Sequence, residues 1–315
     1  MFKKETTKAV YGVFEGGGAR GPALVGGVAA LEKQNITFRA VAGTSAGAIV
    51  ASLLAAGYSA SELLNMMLDK DFQDFKDPVT RIPGLRHLIA WRQMGFYKGD
   101  EFYRWIREKI SLKITGKRNC SPSFKDLPIP LTVIATDLHN KREIVFSKNN
   151  FPELPVADAV RMSMSIPYFF RPVRFGSSLV VDGGLISNFP AWIFQKEENL
   201  ARLPILGLRL EPDDLYSTEI NGPLTLGGSA IDTTIRTQTM LQIANIQDLY
   251  IINLPTLGVK TTDFEISVDK KEQLYKAGYD RTQAYFSPIV SLTTLGTVDC
   301  PIFPNNTLIL NEPPL

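Results

Sequence analysis

The chain has 315 residues, 44% of them hydrophobic and 21% charged, with a formal net charge of +2. That length and balance describe a globular chain able to bury a core, and exclude a disordered or fibrous polymer. So small a net charge gives no basic face for nucleic acid, and two cysteines, Cys120 and Cys300, make no disulfide framework.

Behind the lysines of "MFKKETTKAV" there is no apolar run of the kind a signal peptide needs. No window approaches the ~18 continuous apolar residues of a membrane span. The expected setting is cytoplasmic, with any membrane contact peripheral; export by a route without an N-terminal signal stays open.

In chain order, Val10 to Phe14 is a short apolar strand entering a glycine cluster. Pro22 then opens a helix to about Lys33, with Leu24, Val28 and Leu31 on one face. "FRAVAG" (Phe38 to Gly43) is a second strand. Ala46 to Ala56 is a small-residue helix stopped by Gly57, and Ser59 caps the next helix with Glu62 completing a capping box. Strand, helix, strand, helix predicts an α/β fold with a mostly parallel central sheet and helices on both faces.

From Asp69 to Asp126 the pattern is less regular, with a helix near Asp100 to Ile110. "LTVIATDLHNKREIVFS" predicts a hairpin with a strand to Asp137 and a return strand Glu143 to Ser147. Val156 to Ser165 is helical, and "SLVVDGG" (Ser178 to Gly184) is a strand ending in a turn. "PILGLRL" and "LYIINLP" are strands around a helix near Ser229 to Ile246, and Lys270 to Phe286 is a final helix. "EPDD" (Glu211 to Asp214) is a turn, and the tail to Leu315 carries no usable period.

Two glycine signals stand one strand apart. "EGGGARG" (Glu15 to Gly21) follows a strand, opens a helix and fits the dinucleotide fingerprint G-x-G-x-x-G. That use wants an acidic residue about 20 positions on, at the end of the second strand. Here the second strand ends instead in "GTSAG" (Gly43 to Gly47), a G-x-S-x-G stretch that sets a nucleophilic serine on a tight strand-to-helix turn. Beside Ser45, the glycine loop has another use. Unobstructed N–H groups at a helix start can hold the oxyanion of an attacked ester.

A serine nucleophile needs a base, and the chain has only two histidines. His139 lies in a polar turn and His87 in a basic, aromatic segment, neither in a positioning motif; both stay open as bases. Asp182 in "VVDGG" is the stronger candidate: an apolar strand delivers its carboxylate, and Gly183 and Gly184 let the chain turn against what it faces. In open α/β sheets, reactive groups gather beyond the carboxyl ends of the strands, where Ser45 is also expected. Asp137 in "VIATD" is the rival, with a turn-bonding role as its simpler use.

"EGGGARG", "GTSAG" and "DGG", in that order, resemble the patatin-like phospholipases. "ATDL" with its hairpin, "SMSIPYFFRPV" (Ser163 to Val173) and "LPTLGVKTTDFEIS" before a terminal helix extend the likeness over about Val10 to Phe286. The resemblance implies a three-layer patatin-like domain over 10–286, followed by a tail over 287–315. It implies a lipid acyl hydrolase with Ser45 as nucleophile, Asp182 as base and no histidine, metal or cofactor. Gly16, Gly17 and Gly18 would supply oxyanion N–H groups and Arg20 would meet a lipid phosphate, with Gly21, Gly43, Gly47, Gly183 and Gly184 completing the motifs. Glu15 departs from the family, which often has Asp there. An esterase or acyltransferase on smaller esters, or a nucleotide- or lipid-binding protein without turnover, is the alternative. The resemblance also raises a small-molecule or protein activator, which no residue here identifies.

The implied partners are a phospholipid or other lipid ester and a membrane surface. "RIPGLRHLIAWRQMGFYKG" (Arg81 to Gly99) sets Leu85, Leu88, Ile89 and Trp91 among Arg81, Arg86, Arg92 and Lys98. Basic residues among large apolar ones suit an anionic bilayer. A helix packing its apolar face on the core is the other reading. "YFFRPVRF" is expected to line a pocket.

Overall fold

The computed structural model describes residues 8–80, 82, 85–196, 202–211, 220–244 and 246–287. The tail beyond Ser287, Arg81, most of "EPDD" and Cys300 lie outside the described residues.

The first half follows the expected alternation. β1 (Lys8–Phe14) leads through the glycine loop to α1 (Gly21–Lys33), β2 (Ile36–Thr44) and α2 (Ala46–Ala55). α3 (Ala60–Asp69) starts on a complete capping box in which Ser59 and Glu62 satisfy each other's backbone N–H groups. The irregular stretch resolves into α4 (Arg86–Gln93), a short β3 (Gly95–Tyr97) and α5 (Asp100–Thr115). The predicted hairpin is β4 (Leu131–Asp137) and β5 (Arg142–Ser147). α6 (Val156–Ser163), β6 (Tyr168–Phe170), β7 (Val173–Phe175) and β8 (Ser178–Asp182) follow. Then come α7 (Gly184–Ser187), α8 (Ile193–Lys196), β9 (Ile205–Leu210), α9 (Pro223–Ile243), β10 (Leu249–Leu254) and α10 (Val268–Phe286).

The main sheet runs β10-β9-β1-β2-β4-β8-β7, with β5 also on β4. β10, β9, β1, β2 and β4 are mutually parallel; β5, β7 and β8 add the antiparallel part. Alternation along β1 divides its side chains between two cores. Val10 and Phe14 join a large cluster with residues of α1, α2, α3, α5, α6 and α10, while Tyr11 and Val13 face a smaller one built on Phe189, Ile193 and Phe194.

β4 has three partners, and that arrangement makes the site. β5 pairs along β4 from Thr132 to Asp137, so it fills one edge. β2 pairs with Leu131 to Ile134 and β8 with Ala135 to Asp137, and they share the other edge. Thr44 is opposite Ile134 and Asp182 opposite Ala135. The two strands therefore lie end to end with their carboxyl termini facing. β8 runs the other way, because it returns from the β6–β7 region against β4, and the residues meet head-on.

α4 does not bury its large apolar residues. Trp91 is 85% and Leu88 66% exposed, Leu85 is exposed too, and Ala90 is buried. The apolar face points outward, so this is not a helix packed face-down on the core. "YFFRPVRF" lines a pocket through Arg171 to Phe175, but not the pocket of Ser45. Tyr168 is exposed, Phe170 is buried, and β7 is a sheet edge beside a different cavity. Ile166 and Pro167, just before it, line the pocket of Ser45 instead.

Candidate active site

Ser45 sits between β2 and α2 with φ +52° and ψ −121°, a backbone shape that a non-glycine residue adopts only under strain. Its N–H donates to Ser163 Oγ at 2.9 Å, and that hydroxyl donates to the Ile134 carbonyl at 2.6 Å. α6 and β4 thus hold the turn through one small side chain. Gly47 is needed for closeness: a Cβ there would lie 2.0 Å from the Phe14 carbonyl oxygen, at the end of β1. Gly43 sits as tightly against the Gly47 backbone.

The glycine loop packs directly over the serine. A Cβ on Gly16 would stand 3.2 Å from Ser45 Cβ and 2.2 Å from Asn188 Oδ1. Gly16 N–H donates to the Asn188 carbonyl at 3.0 Å, so it is already committed. Gly17 and Gly18 N–H groups have no acceptor among the described residues. Gly17 lines the pocket and Gly18 does not, while Gly21 begins α1 beside Met67.

Asp182 is buried across the β2–β8 junction. Its Oδ1 accepts the Gly184 N–H at 2.8 Å, its own N–H donates to the Ser165 carbonyl, and Gly183 turns against the Ile134 carbonyl. Oδ2 is buried with no partner of regular hydrogen-bond geometry. Burial raises the carboxyl pKa to about 6; hydrogen bonding from the Ser45 side chain and from the Gly184 N–H pulls it down.

Ser45, Asp182, Gly16, Gly17, Gly184 and Arg20 line one cavity of about 160 Å³. Arg20 is held there by a bond from Nη2 to Thr261 Oγ1. Glu15 reaches the same cavity from beneath the loop. Its Oε2 accepts the Leu210 N–H at 2.6 Å and Oε1 lies 3.7 Å from Arg209. Burial raises its pKa to about 7, against Arg209, the Leu210 N–H, Arg20 and Asn188. From the far side α9 covers the cavity with Asp232, Ile235, Arg236 and Thr239.

The rival bases are elsewhere. Asp137 accepts the His139 and Asn140 N–H groups, the Asn140 side-chain amide and the Ser178 hydroxyl. These bonds, the Asn140 side chain foremost, hold its carboxyl well below the usual carboxylate range. His139 Nδ1 accepts the Leu179 N–H, and His87 packs edge-on to Phe96. None of the three lines the Ser45 cavity. Sequence reasoning missed Ser163, Asn188 and the α9 cover. Ser163 opens the quoted "SMSIPYFFRPV" and Asn188 follows "DGG", yet nothing local marks a serine or asparagine that bonds backbone so far away in the chain.

Residues 12–194 match the patatin-like phospholipase family. The protein YqhO of Bacillus subtilis (strain 168) is 38% identical over 293 residues, covering 88% of this chain and 97% of its own length. A probable lipid hydrolase of Invertebrate iridescent virus 6 is 24% identical over 188 residues, 59% of this chain and 63% of its own. Among solved structures, VipD from Legionella pneumophila aligns with a TM-score of 0.49 at 19% identity, over 88% of this chain and 66% of that one. The chain belongs to the patatin-like phospholipase family, a family of lipid hydrolases.

Proposed function

We propose that the protein is a phospholipase A-type acyl hydrolase working through a Ser45–Asp182 dyad. The observation that carries this reading is the strained Ser45 beside a buried Asp182 that has no other side-chain donor among the described residues, beneath a glycine loop. Ser45 Oγ attacks the ester carbonyl while Asp182 Oδ2 takes its proton. A carboxyl with pKa near 6 is a better base than an ordinary aspartate and is still ionised at pH 7. The Gly17 N–H, with Gly18 beside it, receives the oxyanion. The positive end of α2 adds to the same field. Asp182 then returns the proton to the leaving alcohol oxygen, and water, deprotonated by Asp182, releases the fatty acid from Ser45. Arg20, which lines the same cavity, meets the lipid phosphate.

The exposed Leu88 and Trp91 on α4, with exposed Leu85 just before it and exposed Arg92 beside them, form the surface that settles on an anionic bilayer. No helix among the described residues is long and apolar enough to cross a membrane. One observation favours a second reading. At about 160 Å³ under α9, the cavity admits an ester group but is smaller than the usual ~300–1,000 Å³ of ligand pockets. An esterase on smaller esters fits it without movement of α9.

Lipid mass spectrometry of phospholipid vesicles treated with wild type and Ser45→Ala tests both. Fatty acid and lysophospholipid released by wild type alone are expected. Turnover of a short ester with intact phospholipid would establish the smaller-ester reading. Failure of a fluorophosphonate to label Ser45 would remove both.

A further inference from the structure

A second cavity, of about 570 Å³, lies on the other side of α6 and shares no lining residue with the first. α6 separates them: Ser163 supports the Ser45 turn, whereas Arg161 and Met162 line the second cavity. β8 is divided likewise, with Leu179 in the second cavity and Asp182 in the first.

Its chemistry is two-part. Leu154, Met162, Val173, Phe175 and Leu179 give it an apolar wall, and Arg161, Arg171 and Arg174 face it against Asp100 and Asp158, three cations to two carboxylates. Asp100 is engaged by Arg171 at 3.5 Å. Arg161 is only 7% exposed, and among the described residues no carboxylate comes within ion-pair distance of it. Its bonds go to neutral acceptors, Ser165 Oγ at 2.6 Å and the Arg171 and Lys98 carbonyls. Burial pushes its pKa down to about 10, with the more distant Asp100 and Asp77 opposing. A buried cation without a counter-ion is costly unless an anion can reach it. Gln93 and Met94, at the end of α4, stand at this cavity, so it opens next to the exposed Leu88 and Trp91.

We propose that this cavity binds a single-chain amphiphile with an anionic head, the head meeting Arg161, Arg171 and Arg174 and the chain lying on Met162, Val173 and Leu179. Its volume is within the range of small-molecule pockets, and the site does not depend on catalysis at Ser45. A fatty-acid carboxylate and an alkyl phosphate share this chemistry.

The test titrates the fluorescent fatty acid cis-parinarate into full-length Ser45→Ala protein. Dodecanoate, dodecyl phosphate, dodecanol and inorganic phosphate serve as competitors. Expected is one saturable site, displaced by dodecanoate or dodecyl phosphate, the stronger naming the natural head group. Dodecanol and inorganic phosphate should displace weakly. Arg174→Glu, at an exposed position, should weaken binding about tenfold or more, and Leu179→Trp should fill the cavity and abolish it. Arg174→Lys should restore most of the affinity, and melting curves confirm that each variant folds. Absence of saturable binding, equal displacement by dodecanol, or unchanged affinity in Arg174→Glu would each overturn the proposal. So would loss of binding in Arg20→Ala alone, which would place the ligand in the catalytic pocket.

Discussion

Asp137 and Asp182 end neighbouring strands of one sheet, both buried, and β8 touches both: Ser178 at its start bonds Asp137, and Asp182 is its last residue. Asp137 is surrounded by donors that fix the hairpin turn, and its carboxyl is held well below the ordinary range. Among the described residues, Asp182 has only the Gly184 N–H on Oδ1 and the Ser45 side chain to hold it, and a pKa raised to about 6. A satisfied carboxylate stabilises a fold; a sparsely bonded one in the same kind of position is poised to accept a proton.

The largest expected effect separates them by activity. Asp182→Asn should lower fatty-acid release by about 10³-fold or more, as Ser45→Ala should, because removal of one member disables a unit. Asp137→Asn should stay within a few-fold of wild type. The reverse result would move the base to Asp137.

Next in size is Ser163→Ala. It leaves the buried Ser45 N–H without its acceptor, at a cost of ~1–3 kcal/mol, and frees the strained turn. A roughly 100-fold fall in kcat with little change in KM is expected, since a small misplacement of the nucleophile suffices. An unchanged kcat would deny Ser163 its positioning role.

Thermal melts against pH should divide the aspartates by sign. The folded pKa of Asp182 is raised above its unfolded value near 4, so its contribution to stability is present in acid and is lost as pH rises through about 6. Asp182→Asn should therefore melt higher than wild type at pH 8, by on the order of 2–3 kcal/mol, with the gap closing by pH 4. Asp137 is the opposite case. Its stabilisation is present above the ordinary carboxylate pKa and fades as acid titrates it, so Asp137→Asn should melt lower at pH 8. The ionisation of Asp182 should also make kcat rise with pH through about 6.

The smallest effect lies outside the comparison and checks that it concerns chemistry alone. Leu88→Ser with Trp91→Ser should weaken vesicle co-sedimentation about five- to tenfold and leave turnover of a soluble short ester unchanged. Undiminished vesicle binding would remove α4 from membrane contact.

Much of this was legible because local rules sufficed. The period-3.6 and period-2 patterns placed α1, β2, α2, the β4–β5 hairpin and α10. The Ser59–Glu62 box marked the start of α3, and the small residues around Ser45 marked a turn that admits nothing larger. The serine and the acid were readable as types because "GTSAG" and "DGG" each need glycine at a fixed offset. The sequence by itself determined which residues end strands and which turns must be tight, since those depend on backbone geometry within a few positions.

The tertiary structure alone decided that β2 and β8 share an edge of β4 with their carboxyl ends facing. Strand direction is set by the path of the intervening chain, and the pattern of a strand reads alike either way. It also decided that Asp182 would have few donors while Asp137 was surrounded by them, and that Gly16 would give its N–H to Asn188. It placed α9 over the pocket and gave Arg161 a cavity in place of a counter-ion. Each of these depends on which distant groups meet in space, and the burial that sets their charge exists only once the chain has folded.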